Sequence, residues 1–224
     1  MATLISNLSI RGGQGKSTIL QTLAMELSKR SYPCVIRDLD TGSKSTLAMK
    51  RHNLPFEIIG VTDKRPSNTI NLLDTPAGYI YNNPDEAIRY YSSSNIILNC
   101  VSGGAGSVSN AIEVLSHLYA LEMLSQANNK PIKLLNKVIT IFTRNNNESD
   151  CHNFRIHTPQ LGQNISSFFA LPDEAGLEAR HAQGKLINAN DSKNPTEYAQ
   201  NISKLCNLIE KTAKLQKFKL SEVA

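Results

Sequence analysis

Apolar positions along this chain alternate between short continuous runs and longer stretches with helical spacing. The continuous runs predict strands at Thr3–Ile10, Cys34–Asp38, Glu57–Val61, Ile70–Asp74, Asn95–Val101 and Lys137–Phe142. The stretches with helical spacing predict helices near Ser17–Arg30, Pro84–Tyr91, Ser107–Gln126, Asp173–Gln183 and Thr196–Leu215. Strands and helices therefore alternate through most of the sequence.

This alternation predicts an α/β fold with a doubly wound, mostly parallel sheet and helices on both of its faces. Several runs, such as Val138–Phe142, are apolar at nearly every position, which is typical of parallel strands that are covered on both faces. The length of 224 residues suits a single domain over residues 1–224. Sheets of this class bind ligands at the carboxyl ends of their strands.

The connection between the first strand and the first helix has the composition of a phosphate-binding loop. Residues 11–18 read Arg-Gly-Gly-Gln-Gly-Lys-Ser-Thr. Glycines allow successive backbone N–H groups to face one point, and the following helix adds the positive end of its dipole. Lys16 is suited to contact the β- and γ-phosphates, and the Ser17 hydroxyl is suited to bind Mg²⁺. The glycine that opens the usual P-loop pattern is replaced by Ile10, so the loop matches a variant of that pattern.

The variant is the deviant Walker A box, and on these residues the chain resembles the ParA/MinD family of ATPases, most closely the short ParA-type plasmid partition proteins. The resemblance extends over nearly the whole chain and implies a P-loop NTPase fold with ATP and Mg²⁺ as cofactors. It also implies that the nucleotide is held by Gly12, Gly13, Gln14, Gly15, Lys16, Ser17 and Thr18.

Arg11 departs from the family pattern. The family has a lysine at this position, which reaches the phosphates of the partner protomer in an ATP-bound dimer. Arginine keeps the positive charge, but its planar fork differs from a compact ammonium group. Two consequences are open: Arg11 acts in trans on the charge of the transition state, or it marks a protein that binds ATP and hydrolyses it poorly.

Two acidic segments follow predicted strands, where a phosphoryl-transfer site needs them. Asp38 and Asp40 lie on one face of an extended segment. This segment is similar to the Asp-x-Asp switch of the family, which implies that Asp40 orients the attacking water and that Asp38 supports it. The alternative for Asp40 is a cap on the following turn or helix.

The second acidic segment is the end of the run Ile70–Asp74, which has the Walker B arrangement of an apolar strand ending in aspartate. Asp74 is therefore predicted to hold Mg²⁺ together with Ser17. Gly78 matches the family position whose backbone follows the γ-phosphate. Two later positions resemble adenine-lining segments of the family, namely Arg144 and Pro172; a plain exposed arginine is the alternative for Arg144.

Composition and charge narrow the class of protein further. Apolar residues make up 40% and charged residues 19% of the chain, as in an ordinary globular protein. The net charge of +5 mildly favours an anionic partner. The sequence shows neither a membrane-spanning run nor a signal peptide, so we expect a cytoplasmic protein. The DNA binding that the resemblance implies would make it nucleoid-associated. The four cysteines form no CxxC pair, which argues against a zinc site or a disulfide framework.

The predicted basic C-terminal helix, about residues 196–219, carries the candidate DNA-binding residues Lys204, Lys211, Lys214 and Lys217. Lys204, Lys211 and Lys214 flank an apolar face formed by residues that include Leu205, Ile209 and Thr212. Such an edge suits the phosphates of nonspecific DNA. Two other uses are open, a solvated edge of a docked helix and a MinD-like membrane helix, although few bulky apolar residues follow Leu215.

Together with these features, the resemblance to the ParA/MinD family implies an ATP-dependent dimerising switch for DNA partition. We expect a homodimer with ATP that binds nonspecific DNA, hydrolyses ATP slowly and responds to a ParB-type centromere-binding protein. A MinD-like positioning ATPase and a weakly hydrolysing, nucleotide-gated accessory protein of plasmid stability or transfer are the alternatives. A metabolic P-loop ligase finds no support, because the sequence shows no group of residues for a second substrate.

Overall fold

The computed structural model describes residues 3–40, 52–60, 63, 68–104, 106–144, 152–154, 156, 167–172 and 196–215. Its strands are β1 (Thr3–Leu8), β2 (Cys34–Asp38), β3 (Glu57–Ile59), β4 (Ile70–Asp74), β5 (Ile96–Ser102), β6 (Val138–Thr143) and β7 (Ser167–Leu171). They form one seven-stranded sheet in the order β3-β2-β4-β1-β5-β6-β7, and all of the pairs are parallel. The predicted parallel α/β fold is confirmed.

The helices with defined bounds are α1 (Lys16–Lys29), α2 (Tyr79–Asn82), α3 (Pro84–Ser93), α4 (Ser107–Ala127) and α5 (Glu197–Ala213), and a 3₁₀ turn covers Leu135–Lys137. Residues 152–154 and 156 are also helical. Local sequence explains several of their starts. Pro84 opens α3, where its missing N–H costs no hydrogen bond. Thr196 caps α5, because its hydroxyl accepts a hydrogen bond of 3.3 Å from the Ala199 N–H.

Two apolar clusters, one on each face, cover the sheet. The first packs α1 and α5 against side chains such as Ile5 and Leu72. The second packs α3 and α4 against side chains such as Leu8 and Phe142. Because successive residues of a strand point to opposite faces, a strand covered on both faces must be apolar at nearly every position. This is the pattern that the sequence shows.

Several elements differ from the sequence-based expectation. β3 ends at Ile59, two residues before its predicted end at Val61, and most other bounds shift by one or two residues. β1 ends at Leu8, because Ser9 and Ile10 already belong to the turn toward α1. The short strand β7 was not predicted; it extends the sheet by pairing with β6, with Leu171 opposite Thr143. The short helix α2 was also not predicted, and it begins directly after Gly78, whose φ of 67° is left-handed. The predicted helix Asp173–Gln183 lies outside the described residues.

The described part of the chain also bears on the metal and membrane expectations. Cys34, Cys100 and Cys206 are buried free thiols, whereas Cys151 lies outside the described residues. Among the described residues, no group of three or more His, Cys, Asp or Glu side chains is placed to hold a metal ion. Within the same ranges, every helix is too short or too polar to cross a membrane.

Candidate nucleotide-binding site

The segment between β1 and α1 turns sharply at the centre of the sheet, where β1 lies between β4 and β5. Gly13 and Gly15 have φ values of 73° and 75°, in the left-handed region that glycine adopts at little cost. Gly15 is the residue immediately before α1, and its carbonyl accepts the first helical hydrogen bond from the Ile19 N–H at 2.9 Å. The helix therefore begins directly at the loop, with its N-terminal N–H groups at the carboxyl edge of the sheet.

Hydrogen bonds fix this loop to the ends of β5 and β6. The Gln14 side chain accepts a hydrogen bond of 2.7 Å from the Ser102 N–H. The Thr143 hydroxyl donates to the Gln14 carbonyl at 3.2 Å. A Cβ placed on Gly15 would lie 3.2 Å from the Thr143 side chain, which shows how closely loop and strand approach. The loop is thus held in one conformation by the strands beside it.

The predicted phosphate-contacting residues lie at the start of α1. Lys16 is its first residue and only 7% exposed, and Ser17 and Thr18 are half-buried. Arg11, by contrast, is exposed together with Gly12 and Gly13. Lys16 is therefore shielded from solvent, whereas Arg11 is accessible to a second molecule.

The thiol of Cys100 reports on the charges around it. Burial raises its pKa to about 12, the positive charge of Lys16 opposes this rise, and the negative charge of Asp74 adds to it. Lys16 and Asp74 therefore both lie near the carboxyl half of β5. The fold brings together a cation and a carboxylate that are far apart in sequence.

The predicted acidic residues lie on neighbouring strands. Asp38 and Asp74 are the last residues of β2 and β4 and stand opposite each other in the register of that pair. They are 5% and 1% exposed. Asp40 follows β2 by two residues and is half-buried, and the intervening Leu39 donates its N–H to the Asp74 carbonyl at 2.8 Å.

The segment after β4 runs along the start of the loop. Gly78 donates its N–H to the Ser9 carbonyl at 2.9 Å, and the Ser9 hydroxyl donates to the Arg11 carbonyl at 3.0 Å. A Cβ on Gly78 would lie 3.5 Å from the Ile10 carbonyl. The predicted γ-phosphate segment is therefore attached to the loop itself.

Asn7 contacts the Walker B aspartate, and the sequence analysis missed it. Its amide nitrogen donates to Asp74 Oδ1 at 2.7 Å. Its amide oxygen accepts from the N–H and the hydroxyl of Thr75, at 2.8 Å and 2.9 Å. A polar residue within the apolar run of β1 was the available signal, but sequence alone does not reveal which side chain it meets.

The two predicted adenine-lining residues lie farther along the same edge. Arg144 is exposed and follows the end of β6, and Pro172 is half-buried and follows the end of β7. The residues before them, Thr143 and Leu171, are register partners. Arg144 and Pro172 thus flank one end of the site on adjacent strands, beyond Gln14 and Thr143.

The C-terminal helix is docked on α1 and β7 through its apolar face. The buried residues of α5 are Tyr198, Ala199, Ile202, Leu205, Cys206 and Ile209. Thr212 does not join this face as predicted: it is exposed, near the end of the helix. Lys204, Lys211 and Lys214 are exposed, whereas Lys217 lies outside the described residues.

The donor set at the edge of the sheet fits Mg²⁺ and a phosphate chain. A hydroxyl and carboxylates are the oxygen ligands that Mg²⁺ prefers, and two buried carboxylates on adjacent strands favour a nearby cation. The N-terminus of α1 and Lys16 supply the positive partners for phosphate. These are the elements of a nucleoside triphosphate site.

No protein-family model matches the sequence, and no curated protein is similar enough to count as a relative. Solved structures do match over nearly the whole chain. A candidate plasmid partition protein of Borrelia burgdorferi B31 bound to AMPPNP has a TM-score of 0.64 at 16% identity, over 94% of this chain and 99% of that one.

Two further structures match to a similar extent. A Cyanothece McdA variant in complex with ATP has a TM-score of 0.65 at 12% identity, over 97% and 98% of the two chains. The septum site-determining protein MinD of Pyrococcus horikoshii, complexed with Mg-ADP, has a TM-score of 0.58 at 15% identity, over 98% and 100%.

The fold is therefore that of a P-loop NTPase. More particularly, it is the fold of the ParA/MinD-type partition and cell division ATPases, as the sequence predicted.

Proposed function

We propose that this protein is a Mg²⁺-ATP-dependent dimerising switch of the ParA type that partitions DNA such as a plasmid. One observation carries the proposal: the fold gathers Lys16, Asp38 and Asp74 at the carboxyl edge of the sheet, around a loop with two left-handed glycines. Nucleotides and Mg-nucleotide are bound by the structural neighbours named above, which supports this use of the site.

Each residue has a role that its position supports. The residues from Gly12 to Thr18 hold the phosphates, with Lys16 on the β- and γ-phosphates. Ser17 and Asp74 hold Mg²⁺, which when bound neutralises charge on the phosphate oxygens. Asp40 orients the attacking water, and the buried Asp38 supports it. Arg144 and Pro172 line the adenine.

Arg11 contributes to the site of a second protomer. It is exposed at the mouth of the loop, whereas Lys16 behind it is buried. ATP therefore favours a homodimer in which each Arg11 reaches the phosphates of the other protomer. This assignment makes dimerisation and hydrolysis depend on each other.

The exposed lysines and the buried apolar face of the C-terminal helix support nonspecific DNA as the partner. Lys204 and Lys211 on this helix and Lys214 directly after it are exposed, so they are accessible to phosphates. Its apolar face is buried against the rest of the chain, so this face is not available for insertion into a membrane. This burial argues for DNA rather than for a MinD-like anchor. The protein would then be a cytoplasmic, nucleoid-associated carrier, and a ParB-type centromere-binding protein would stimulate hydrolysis and release it.

The direct test is the fluorescence anisotropy of a labelled nonspecific duplex, titrated with protein in Mg²⁺-ATP, in Mg²⁺-ADP and without nucleotide over a salt series. We expect salt-sensitive binding with ATP alone. The triple variant Lys204→Ala/Lys211→Ala/Lys214→Ala should reduce the salt slope by about one unit for each DNA-contacting lysine removed.

Lys130→Ala/Lys133→Ala is the matched control, because both lysines are exposed and lie outside α5. It should leave the slope unchanged. Equal binding in all three nucleotide states, or no binding in any, would refute the DNA-carrier function. Flotation with anionic liposomes and ATP would then test the MinD-like alternative.

The arginine at position 11 favours a second candidate, a nucleotide-gated accessory protein with little turnover. In that case the ATPase rate of the wild type is low even with DNA, and Arg11→Lys raises it by an order of magnitude or more, because a compact ammonium fits where a planar fork does not. An Arg11→Lys variant that is no faster than the wild type would exclude this candidate.

A further inference from the structure

Asn7 is a buried polar residue in the central strand of the sheet. It is fully buried in β1, next to Leu8, and directly follows Ser6, which pairs with Leu73 of β4, the residue before Asp74. Burial of an amide is costly unless its hydrogen bonds are satisfied. In Asn7 both the donor and the acceptor of the amide are used.

All of these bonds go to the end of β4. The amide nitrogen donates to Asp74 Oδ1 at 2.7 Å, and the amide oxygen accepts hydrogen bonds from the Thr75 N–H and the Thr75 hydroxyl. The Thr75 hydroxyl also donates to the Asn7 carbonyl at 3.0 Å, to which the Tyr91 hydroxyl donates at 3.4 Å. Asn7, Asp74, Thr75 and Tyr91 are each at most 1% exposed, so water does not compete for these bonds.

An asparagine suits this position for an electrostatic reason. A neutral amide fixes a carboxylate oxygen without adding a positive charge, so the charge of Asp74 is kept for a cation. A lysine or arginine in the same place would neutralise it. An apolar residue of the same size would pack in the core but would leave the carboxylate without its donor.

The same residue connects the aspartate to the segment that follows it. Thr75 is bound to Asn7, and three residues later Gly78 is bound to Ser9. The segment Thr75–Gly78 is therefore attached to β1 and the start of the loop at both ends. Movement of Asp74 relative to the phosphate loop requires these bonds to break.

We propose that Asn7 is a positioning residue, which orients the Asp74 carboxylate for Mg²⁺ and fixes the segment Thr75–Gly78 beside the phosphate loop. This inference rests on the proposed function, since it assigns Asn7 a role in the same Mg²⁺-ATP site. It predicts that loss of the amide weakens binding of Mg²⁺-nucleotide and leaves binding of the nucleotide without Mg²⁺ unchanged.

The test is Asn7→Leu, with the affinity for a fluorescent AMPPNP analogue measured in Mg²⁺ and in EDTA. Loss of a hydrogen-bond partner of a metal ligand typically lowers metal affinity by about 10- to 100-fold. We therefore expect the affinity of Asn7→Leu for the analogue to fall by that factor in Mg²⁺ and to change by less than about twofold in EDTA. Asn71→Leu is the control: Asn71 is also a buried asparagine, but it lies in β4 and its amide donates to Thr69, at the end of that strand opposite to Asp74.

The outcomes separate the two proposals. If the wild type binds the analogue equally in Mg²⁺ and in EDTA, the Mg²⁺-ATP site itself is refuted. If Mg²⁺ raises the affinity of the wild type for the analogue and raises that of Asn7→Leu by the same factor, Asn7 is a structural residue only. A loss of the same size in Asn71→Leu would also overturn the inference.

A measurement on the wild type decides the matter if Asn7→Leu does not fold, as judged by circular dichroism. In ¹⁵N-labelled protein saturated with AMPPNP, addition of Mg²⁺ should shift the side-chain amide resonance of Asn7 more than that of Asn71. Equal or absent shifts would contradict the positioning role.

Discussion

At Gly15, both the backbone conformation and the surrounding space disfavour a side chain. Its φ of 75° is costly for any residue with a Cβ, and that Cβ would lie 3.2 Å from Thr143. The sequence motif predicts a glycine here because glycine allows the backbone N–H groups of the loop to face a phosphate. The structure adds a second reason, which is the close approach of the loop to β6.

We therefore expect Gly15→Ala to destabilise the protein and to distort the loop. A left-handed residue with a Cβ costs about 1–2 kcal/mol, and the contact with Thr143 adds to it. Urea denaturation should show this loss, and the affinity for the AMPPNP analogue should fall at least tenfold.

Gly60→Ala is the control for this prediction. Gly60 has no left-handed φ, and a Cβ there would meet Asp63 at 3.4 Å, an ordinary contact. Its unfolding free energy should stay within about 0.5 kcal/mol of the wild type. If Gly15→Ala is as stable as Gly60→Ala, the loop adjusts more freely than its hydrogen bonds indicate.

The predictability of the site from sequence follows from how local each signal is. Lys16 and Ser17 stand in a motif, and Asp38 and Asp74 end apolar runs, so local sequence and the family resemblance were enough to predict them as site residues. Asn7 depends on a partner 67 residues away in sequence. Such contacts require the order of the strands, which a single sequence does not give.

At the scale of elements, Arg30 connects the phosphate-loop helix to the C-terminal helix. It follows the end of α1 and donates to Glu26 at 3.0 Å, and from the same guanidinium to Glu210 of α5 at 2.9 Å. It also donates to the Ser203 hydroxyl and to Asn207, at 2.7 Å and 2.6 Å. Burial alone would lower the pKa of Arg30, but its bonds to Glu210 and Glu26 outweigh this effect and raise it.

Arg30→Ala should therefore loosen α5. The Glu26 side chain is only 4% exposed and would lose its cation, and breaking such a pair costs about 3–5 kcal/mol when both partners are buried. Since Arg30 is partly exposed, we expect about 2–3 kcal/mol. Urea denaturation gives the loss in free energy, and hydrogen exchange locates the loosened segment.

Arg89→Ala is the matched control. Arg89 is 78% exposed and lies 4.0 Å from Glu86, so its removal should cost less than about 0.5 kcal/mol. Equal losses in the two variants would show that the Arg30 network contributes no more than a surface pair.

Most of the elements were predicted from the hydrophobic pattern. The boundaries of β2 and β4 agree with the predicted ones, and α4 ends one residue beyond its predicted end. β7 was missed although Ser-Phe-Phe-Ala-Leu is as long as β2 and β4, because only its pairing with β6 distinguishes this short apolar segment as a strand.

At the scale of the whole molecule, buried groups that ionise in alkali set an upper limit on the pH at which the fold is stable. Burial raises the pKa of Cys34 and of Cys100 to about 12, from an ordinary value of 9.0. Burial also raises the pKa of Cys206 and of Tyr91. The folded state keeps the protons that the unfolded state releases.

The free energy of unfolding should therefore be flat up to about pH 9 and fall as the pH rises from there toward about 12. The slope is about 1.4 kcal/mol per pH unit for each group that is ionised only in the unfolded state. Urea denaturation between pH 7 and pH 10.5 measures this slope. Cys34→Ala should reduce it by up to the contribution of one group, about 1.4 kcal/mol per pH unit. A flat profile up to pH 10.5 would contradict the burial of these thiols.

The assignment of Arg11 to a second protomer is tested by mixing two inactive variants. Arg11→Ala lacks the arginine that reaches the partner, and Asp40→Ala lacks the residue that orients water. In a mixed dimer, the Arg11→Ala protomer keeps its own Asp40 and receives Arg11 from the other protomer, so one of the two sites is complete. Half of the dimers in an equal mixture are mixed, so the ATPase rate with saturating DNA should recover to about a quarter of the wild type.

Each variant alone, at the total concentration of the mixture, is the control and should stay inactive. If Arg11 served its own protomer, no dimer in the mixture would contain a complete site, and the rate would remain at the level of the controls. Activity of Arg11→Ala alone near the wild-type rate would show that the arginine has no part in hydrolysis. Recovery in the mixture would show that each active site combines the buried Lys16 of one protomer with the exposed Arg11 of the other.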